Sequence, residues 1–292
     1  MRGFLGVLAP LGPDRAAGVA GAIARLGYAP LGIRRGVVER QIAAAFPDVA
    51  PPGVRRVARA SYDNLGRVTV EANERAARGR HSVLDAFAES PDWSVIERAH
   101  ARGRGVVVMA GHCGNWELMG AYIAARLGAF HAIARGMANP LVEAYVRSVR
   151  ERLGMEILHD RDAVRAVPRL LRSGAAVGFL SDQATVGLAS TYVPFFGRPA
   201  KTPRGAAVFA LRFGAPVVVA HAVRQPGGRY RVLAEELAVP ATGDREHDID
   251  EVMRRFTAVL ERVVREYPGQ YFWQHRRWKY QPDNTPTHLR EP

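Results

Sequence analysis

The sequence predicts an α/β protein: a mostly parallel central sheet flanked by helices, preceded by a helical N-terminal segment. Three observations lead to this reading. From residue 105 onward, short apolar runs alternate with amphipathic stretches, the pattern of successive β-α-β units. Before about residue 90, apolar residues recur only at helical spacing. One run-to-stretch junction carries a dense polar motif, His112-Cys113-Gly114-Asn115-Trp116-Glu117, and strand ends of this kind are where open α/β sheets place their ligands.

The elements follow in order. Residues 16–26 are small and apolar between Arg15 and Arg25, 34–46 are amphipathic, and Pro47 and Pro51-Pro52 interrupt before a long helical period over 53–77. Strands are predicted at 106–110, 130–134, 155–158, 176–180 and 217–223. Helices are predicted at 116–127, 141–153, 163–171 (with Pro168 inside), 203–213 and 249–265. A hairpin turn at Pro226-Gly227-Gly228 leads to a strand over 229–234, and the polar tail after Pro282 reads as loose. The expected organisation is a helical segment over 1–90 packed on a core at 91–282, followed by a tail at 283–292.

Composition narrows the function classes. The 292 residues include 41 basic and 28 acidic ones, a formal charge of +13. Only Lys201 and Lys279 are lysines, so the basic residues are nearly all arginine, the side chain suited to bidentate binding of phosphate and carboxylate. A polyanionic partner follows, or GC-rich codon usage accounts for the arginine. One cysteine excludes a disulfide framework and a cysteine-rich zinc site. No run reaches the roughly 20 apolar residues of a membrane span. The uncharged stretch at 16–24 is short, and the apolar stretch at 4–10 ends in Pro10, Gly12, Pro13 and Asp14. Contact with a membrane is therefore expected to be peripheral.

The polar motif carries the chemistry. His112 stands at a strand's carboxyl end and can accept a proton from a hydroxyl near neutral pH. Glu117, in the first turn of the next helix, is expected to hold the imidazole in its working tautomer. Backbone N–H groups at Gly114 and Asn115, or Arg135, are candidate oxyanion donors. Further candidates follow other strands or occupy loops: Arg135 with Asn139, Asp182 with Gln183, Phe196 in an aromatic-cation loop, and Arg276 and Arg277 among the aromatics of 271–280. Asp182 can bind a substrate hydroxyl or cap a loop. Cys113 beside His112 suggests a nucleophile pair, but chain neighbours point apart. His159-Asp160-Arg161-Asp162 reads as a polar loop, not a metal site. No nucleophile elbow, Walker loop or dinucleotide fingerprint occurs.

Five blocks in order resemble the bacterial lipid A biosynthesis acyltransferases, the lauroyl/myristoyl transferase family that includes phosphatidylinositol mannoside acyltransferase. Arg34-Arg35, Ala45-Phe46-Pro47-Asp48 and Tyr62-Asp63-Asn64-Leu65-Gly66 resemble its amino-terminal segment. Gly111 to Glu117 is similar to the family's His-x4-Asp/Glu motif, and Arg135 with Asn139-Pro140 to its second block. The third block resembles Gly178-Phe179-Leu180-Ser181-Asp182-Gln183 with Val193-Pro194-Phe195-Phe196-Gly197. The carboxyl-terminal signature resembles the run from Pro268 to Lys279. The resemblance implies a glycerolipid acyltransferase-like fold with no cofactor and no metal. It implies transfer of a fatty acyl chain from acyl carrier protein or acyl-CoA to a hydroxyl of a phosphorylated glycolipid, a lipid A precursor foremost, with a phosphatidylinositol mannoside as the alternative. It also implies an anionic membrane surface as partner, at the cytoplasmic face of the inner membrane. His112 and Glu117 would be catalytic, and Arg135, Asn139, Asp182, Gln183, Phe196, Arg276 and Arg277 would bind substrate. The nearer rival is a glycolipid acyltransferase with a different acceptor, a third reading is a thioesterase with water replacing the acceptor hydroxyl, and a basic nucleic-acid-binding protein is the remote alternative; no nucleic-acid partner is expected, since no RNA-binding signature occurs.

Overall fold

The computed structural model describes residues 12–292 except Thr185. The apolar stretch at 4–10 lies outside the described residues. Three helices come first: α1 (Pro13–Tyr28), α2 (Arg35–Ala45) and the long α3 (Pro51–Arg78). Both α1 and α3 start with proline in the first turn, where its missing N–H goes unused. Ala16, Ala20 and Val70 form the small core between α1 and α3. Gly66 lets the two helices touch: a Cβ there would lie 2.4 Å from the Ala20 carbonyl oxygen. Helix α4 (Trp93–His100), absent from the sequence expectation, covers the sheet ahead of its first strand.

The sheet has six strands in the order β3-β2-β4-β1-β7-β8. They are β1 (Val106–Ala110), β2 (Phe130–Ala134), β3 (Met155–His159), β4 (Ala176–Leu180), β7 (Val217–Arg224) and β8 (Tyr230–Leu237). The first five run parallel and β8 pairs antiparallel on the edge. The central β1 is almost continuously buried apolar residues, as a strand covered on both faces requires. Helices α5 (Trp116–Leu127), α6 (Pro140–Arg152), α7 (Ala163–Arg172), α8 (Gly205–Phe213) and α9 (Arg245–Glu266) connect the strands or flank them. Pro168 sits inside α7 without ending it. Two apolar cores result. One gathers α8, α9 and the aromatics Phe195, Tyr271, Trp273 and Trp278; the other gathers α4, α5, Phe130 and Met155.

Two segments depart from expectation. Residues 190–203 form a separate antiparallel hairpin, β5 (Ser190–Phe195) and β6 (Arg198–Pro203), turning at Phe196-Gly197, both at positive φ. The tail is tied down rather than loose: Gln281 Nε2 donates to Leu289 O at 2.8 Å, and Arg198 Nη1 donates to Arg290 O at 2.7 Å. Tail carbonyls thus find side-chain donors that sequence pattern does not reveal.

Candidate active site

Strands β1, β2 and β4 end side by side, and their carboxyl ends deliver Ala110, Ala134 and Leu180 to one rim of the sheet. The turn after β1 carries His112. Its geometry is fixed by backbone: the Gly114 φ is 71°, and a Cβ there would lie 1.9 Å from the Ala222 carbonyl oxygen, so only glycine fits. Gly114 N–H donates to Gln270 O at 3.0 Å, and Asn115 N–H donates to Ala222 O at 2.8 Å. These two amides therefore hold the turn and are not free to face an oxyanion, a correction to the sequence expectation for Gly114 and Asn115. The Asn115 side chain instead caps α5, accepting from Leu118 N–H at 3.0 Å.

His112 is held from β4. Its Nδ1 lies 2.7 Å from Asp182 Oδ1, and its backbone N–H donates to Asp182 Oδ2 at 2.9 Å. With Nδ1 engaged, Nε2 is the nitrogen left for the cavity that His112 lines. Trp116 packs edge-on against the imidazole at 4.9 Å and Phe272 flanks it at 6.0 Å. Asp182 is 1% exposed. Burial by itself would raise its pKa, but the charge and hydrogen bonds of His112, with help from Arg277, outweigh burial and hold the carboxyl well below its usual range. Asp182, not Glu117, is the carboxylate hydrogen-bonded to the imidazole.

Glu117 has another partner. Arg150 of α6, which the sequence reading did not single out, grips it with two hydrogen bonds, Nε to Oε2 at 2.9 Å and Nη2 to Oε1 at 2.7 Å, while Trp116 Nε1 donates at 3.1 Å. Burial opposes ionisation of Glu117, but the Arg150 charge and hydrogen bonds prevail and lower its pKa. An i,i+5 spacing cannot disclose this, because the orienting groups arrive from other elements. The ion pair forms part of the wall of a cavity of about 320 Å³ that runs from His112 between α5 and the sheet. Val108, Ala132 and Gly178 supply apolar lining, and Arg135 and Gln183 stand with His112 at the strand-end side.

The remaining candidates divide. Arg135 is exposed at the rim, with Nη1 donating to Val186 O at 3.0 Å. Asn139 caps α6, accepting from Leu141 N–H at 3.0 Å, and does not line the cavity. Phe196 is 8% exposed in the aromatic core, edge-on to Phe46 and Phe195 and tilted against Trp273. Arg276 is taken by Glu291 at the surface through bonds of 2.6 and 2.5 Å. Arg277 is 1% exposed, with Nη1 donating to Lys201 O and Nη2 to Thr202 Oγ1, each at 2.6 Å. Asn139, Phe196, Arg276 and Arg277 therefore serve caps, core and internal pairing in this structure, not the cavity. Arg277 is the buried cation whose charge acts on Asp182. Cys113 is fully buried, and burial pushes its thiol pKa far up, which removes the thiolate a nucleophile needs.

Further bracing escaped the sequence reading. From α3, Asn64 Nδ2 donates to Gly114 O at 3.0 Å and to Gln270 O at 3.1 Å, and Ser61 Oγ donates to Tyr271 O at 2.7 Å. Glu71 accepts from Asn115 Nδ2 at 3.0 Å and pairs with Arg224 and Tyr230. The available signal was polar residues on the helix's inward face: Ser61 and Asn64 fall among the apolar positions of α3.

Among the described residues no helix is long and apolar enough to cross a membrane. The class is that of the acyl-transfer enzymes. The chain belongs to the bacterial lipid A biosynthesis acyltransferase family, which it matches over residues 2–280, and it is an acyltransferase. It is similar to the lipid A biosynthesis lauroyltransferase of Escherichia coli (strain K12), 24% identical over 263 residues, covering 87% of this chain and 82% of that one. The palmitoleoyltransferase of the same organism is 24% identical over 253 residues, covering 85% and 80%. The phosphatidylinositol mannoside acyltransferase of Mycobacterium tuberculosis (strain ATCC 25618 / H37Rv) is 28% identical over 130 residues, 43% of this chain and 41% of that one.

Proposed function

We propose that this enzyme moves a fatty acyl chain from a thioester, carried by acyl carrier protein or coenzyme A, to a hydroxyl of a glycolipid, with His112 as general base. The observation that carries the reading is the His112–Asp182 pair, 2.7 Å apart, at the polar end of an apolar cavity. The acceptor oxygen attacks the thioester carbonyl while His112 Nε2 takes its proton; the C–O bond forms, the C–S bond breaks, and the imidazolium returns the proton to the leaving thiolate. Asp182 holds the tautomer and balances the imidazolium. Glu117 acts with Arg150 to shape the cavity wall beside the base. Arg135 is the rim cation placed to meet an oxyanion or an acceptor phosphate. No acyl-enzyme is needed, since the base works directly on the second substrate and Cys113 is unreactive.

A lipid A precursor is the acceptor this reading favours, on the breadth of the match to lipid A relatives; a mannosylated phosphoinositide is the alternative. The site would work at an anionic membrane, at the cytoplasmic face of the inner membrane. Support comes from exposed apolar residues that follow the same strand ends: Leu141 is 81% exposed, Val164 70% and Val186 62%, with Arg135, Arg161 and Arg165 exposed beside them. Apolar side chains for the acyl boundary and arginines for phosphate are what a peripheral surface combines.

The test uses purified protein with long-chain acyl carrier protein or acyl-CoA and either a phosphorylated glucosamine disaccharide lipid or a mannosylated phosphoinositide. The expected result is a mass gain of one acyl group on one acceptor, and a His112→Ala loss of about 10²–10⁴-fold, the range of a positioned base. Undiminished transfer by folded His112→Ala would rule out the base, and donor hydrolysis with no acceptor gain would convert the reading to a thioesterase.

A further inference from the structure

The cavity beside His112 has a floor, and its construction is specific. Among its lining residues, Phe130 and Met155 begin β2 and β3 and pair in register. They therefore stand at the strand ends opposite to His112. Over the four rises from the first to the last residue of β2 this separation is roughly 13 Å at 3.3–3.4 Å per residue. Phe130 is 5% exposed and Met155 4%.

Two glycines make room for them. Gly178 lies in the middle of β4, where a Cβ would come within 2.2 Å of Phe130 Cζ. Gly120 lies inside α5, where a Cβ would come within 2.6 Å of Met155 Sδ and 3.3 Å of the Phe130 ring. Glycine within a helix or strand is unfavourable by roughly 0.5–1 kcal/mol relative to alanine, so both positions need a packing reason. Here the reason is shared: strand and helix, on opposite walls, both give way to the same two side chains. Between this floor and the polar end the wall residues Val108, Ala132 and Ala134 are small and apolar. The space is thus polar at the His112 end, mostly apolar along its length apart from the Glu117–Arg150 pair in its wall, and stopped by an aromatic ring.

We infer that Phe130, seconded by Met155, sets the longest acyl chain this enzyme accepts. The inference rests on the reading that the cavity takes the donor's acyl chain. Phe130 is the firm stop, because its ring is fitted against the β4 backbone. Met155 is the adjustable one, because an unbranched thioether side chain can repack.

The experiment is a competition among saturated acyl-CoA donors of graded even chain length, read as the ratio of acylated or hydrolysed products in one tube, so that the folded fraction of each variant cancels. Phe130→Ala is expected to raise the ratio for a donor two methylenes longer than the wild-type optimum by about tenfold, the worth of two buried methylenes. Met155→Ala should shift it the same way by less. Ala132→Leu, which adds bulk at a cavity-lining position beside the floor, should shift the preference to shorter donors and serves if the floor variants do not fold. Wild-type chain-length profiles for Phe130→Ala and Met155→Ala, or for Ala132→Leu where those do not fold, would overturn the inference while leaving the acyl-transfer reading standing. Failure of the wild type to consume any acyl thioester would instead overturn that reading itself.

Discussion

At the scale of single residues, the site separates two carboxylates by environment. Asp182 is buried against His112 and a buried arginine, while Glu117 is gripped by Arg150 in the cavity wall. Their substitutions should therefore differ in kind. Glu117→Gln leaves the Arg150 guanidinium, 17% exposed, without its counter-charge. Breaking such a pair costs about 3–5 kcal/mol, whereas replacing both members by uncharged side chains of similar size is often nearly neutral. Glu117→Gln should thus lower Tm markedly, and Glu117→Gln with Arg150→Met should recover most of the loss. Calorimetry on the two variants checks this; a double variant as unstable as the single one would mean that Glu117 has a role apart from Arg150. His112 was legible in the sequence because its turn is local: a strand end, Gly114 and a capping asparagine within four residues. Asp182 was legible only as a strand-end acid that could bind a hydroxyl or cap a loop. Its pairing with His112 depends on β4 lying beside β1, which no local pattern encodes.

At the scale of elements, periodicity located the parallel strands and their helices because each buries one continuous apolar face. The central β1 and β4 matched the expected 106–110 and 176–180. The missed hairpin β5–β6 has Pro194 and Pro199 facing each other in register, a composition that reads as loop until a partner strand is known. The aromatic-cation run at 271–280 was expected to bring Arg276 and Arg277 to the substrate. In the structure Trp273 and Trp278 are fully buried and Arg277 is satisfied by the β6 residues Lys201 and Thr202, while Arg276 stays at the surface paired with Glu291. Alternating aromatic and basic residues suit a membrane face and a buried, internally paired segment equally well, so composition alone does not tell where Arg276 and Arg277 go. The amides of Gly114 and Asn115 were misread for a related reason: a strand end exposes N–H groups only if neighbouring backbone does not claim them, and here Gln270 and Ala222 do.

At the scale of the whole molecule, the site region carries titratable groups that bind protons more weakly folded than unfolded. His221, 2% exposed, accepts from Gly111 N–H at 3.2 Å, and burial pushes its pKa down to about 4. Burial pushes the His275 pKa down to about 4 as well, against partial opposition from the Asp182 charge. Below the ordinary histidine value near 6.5 the unfolded chain takes up these protons first, so stability is full above that pH and falls as pH drops toward 4. Asp182, held low, adds a loss of the same sign at still lower pH, as its carboxyl is forced to protonate. Melting temperature against pH should therefore slope downward between pH 6.5 and 4, and His221→Gln, which retains an acceptor for Gly111 N–H, should flatten the slope. An unchanged slope would show that His221 is not held neutral. The same buried cluster underlies the catalytic account, in which the fold brings Asp182 to His112 so that one imidazole nitrogen is always ready for the acceptor hydroxyl. Turnover by Asp182→Asn, which keeps shape but supplies an amide in place of the carboxylate, tests that account most directly. With the variant shown to be folded, acyl transfer from thioester to glycolipid should fall by about 10³–10⁴-fold, the consequence of a wrong tautomer and an unbalanced imidazolium; transfer within a few-fold of wild type would contradict it.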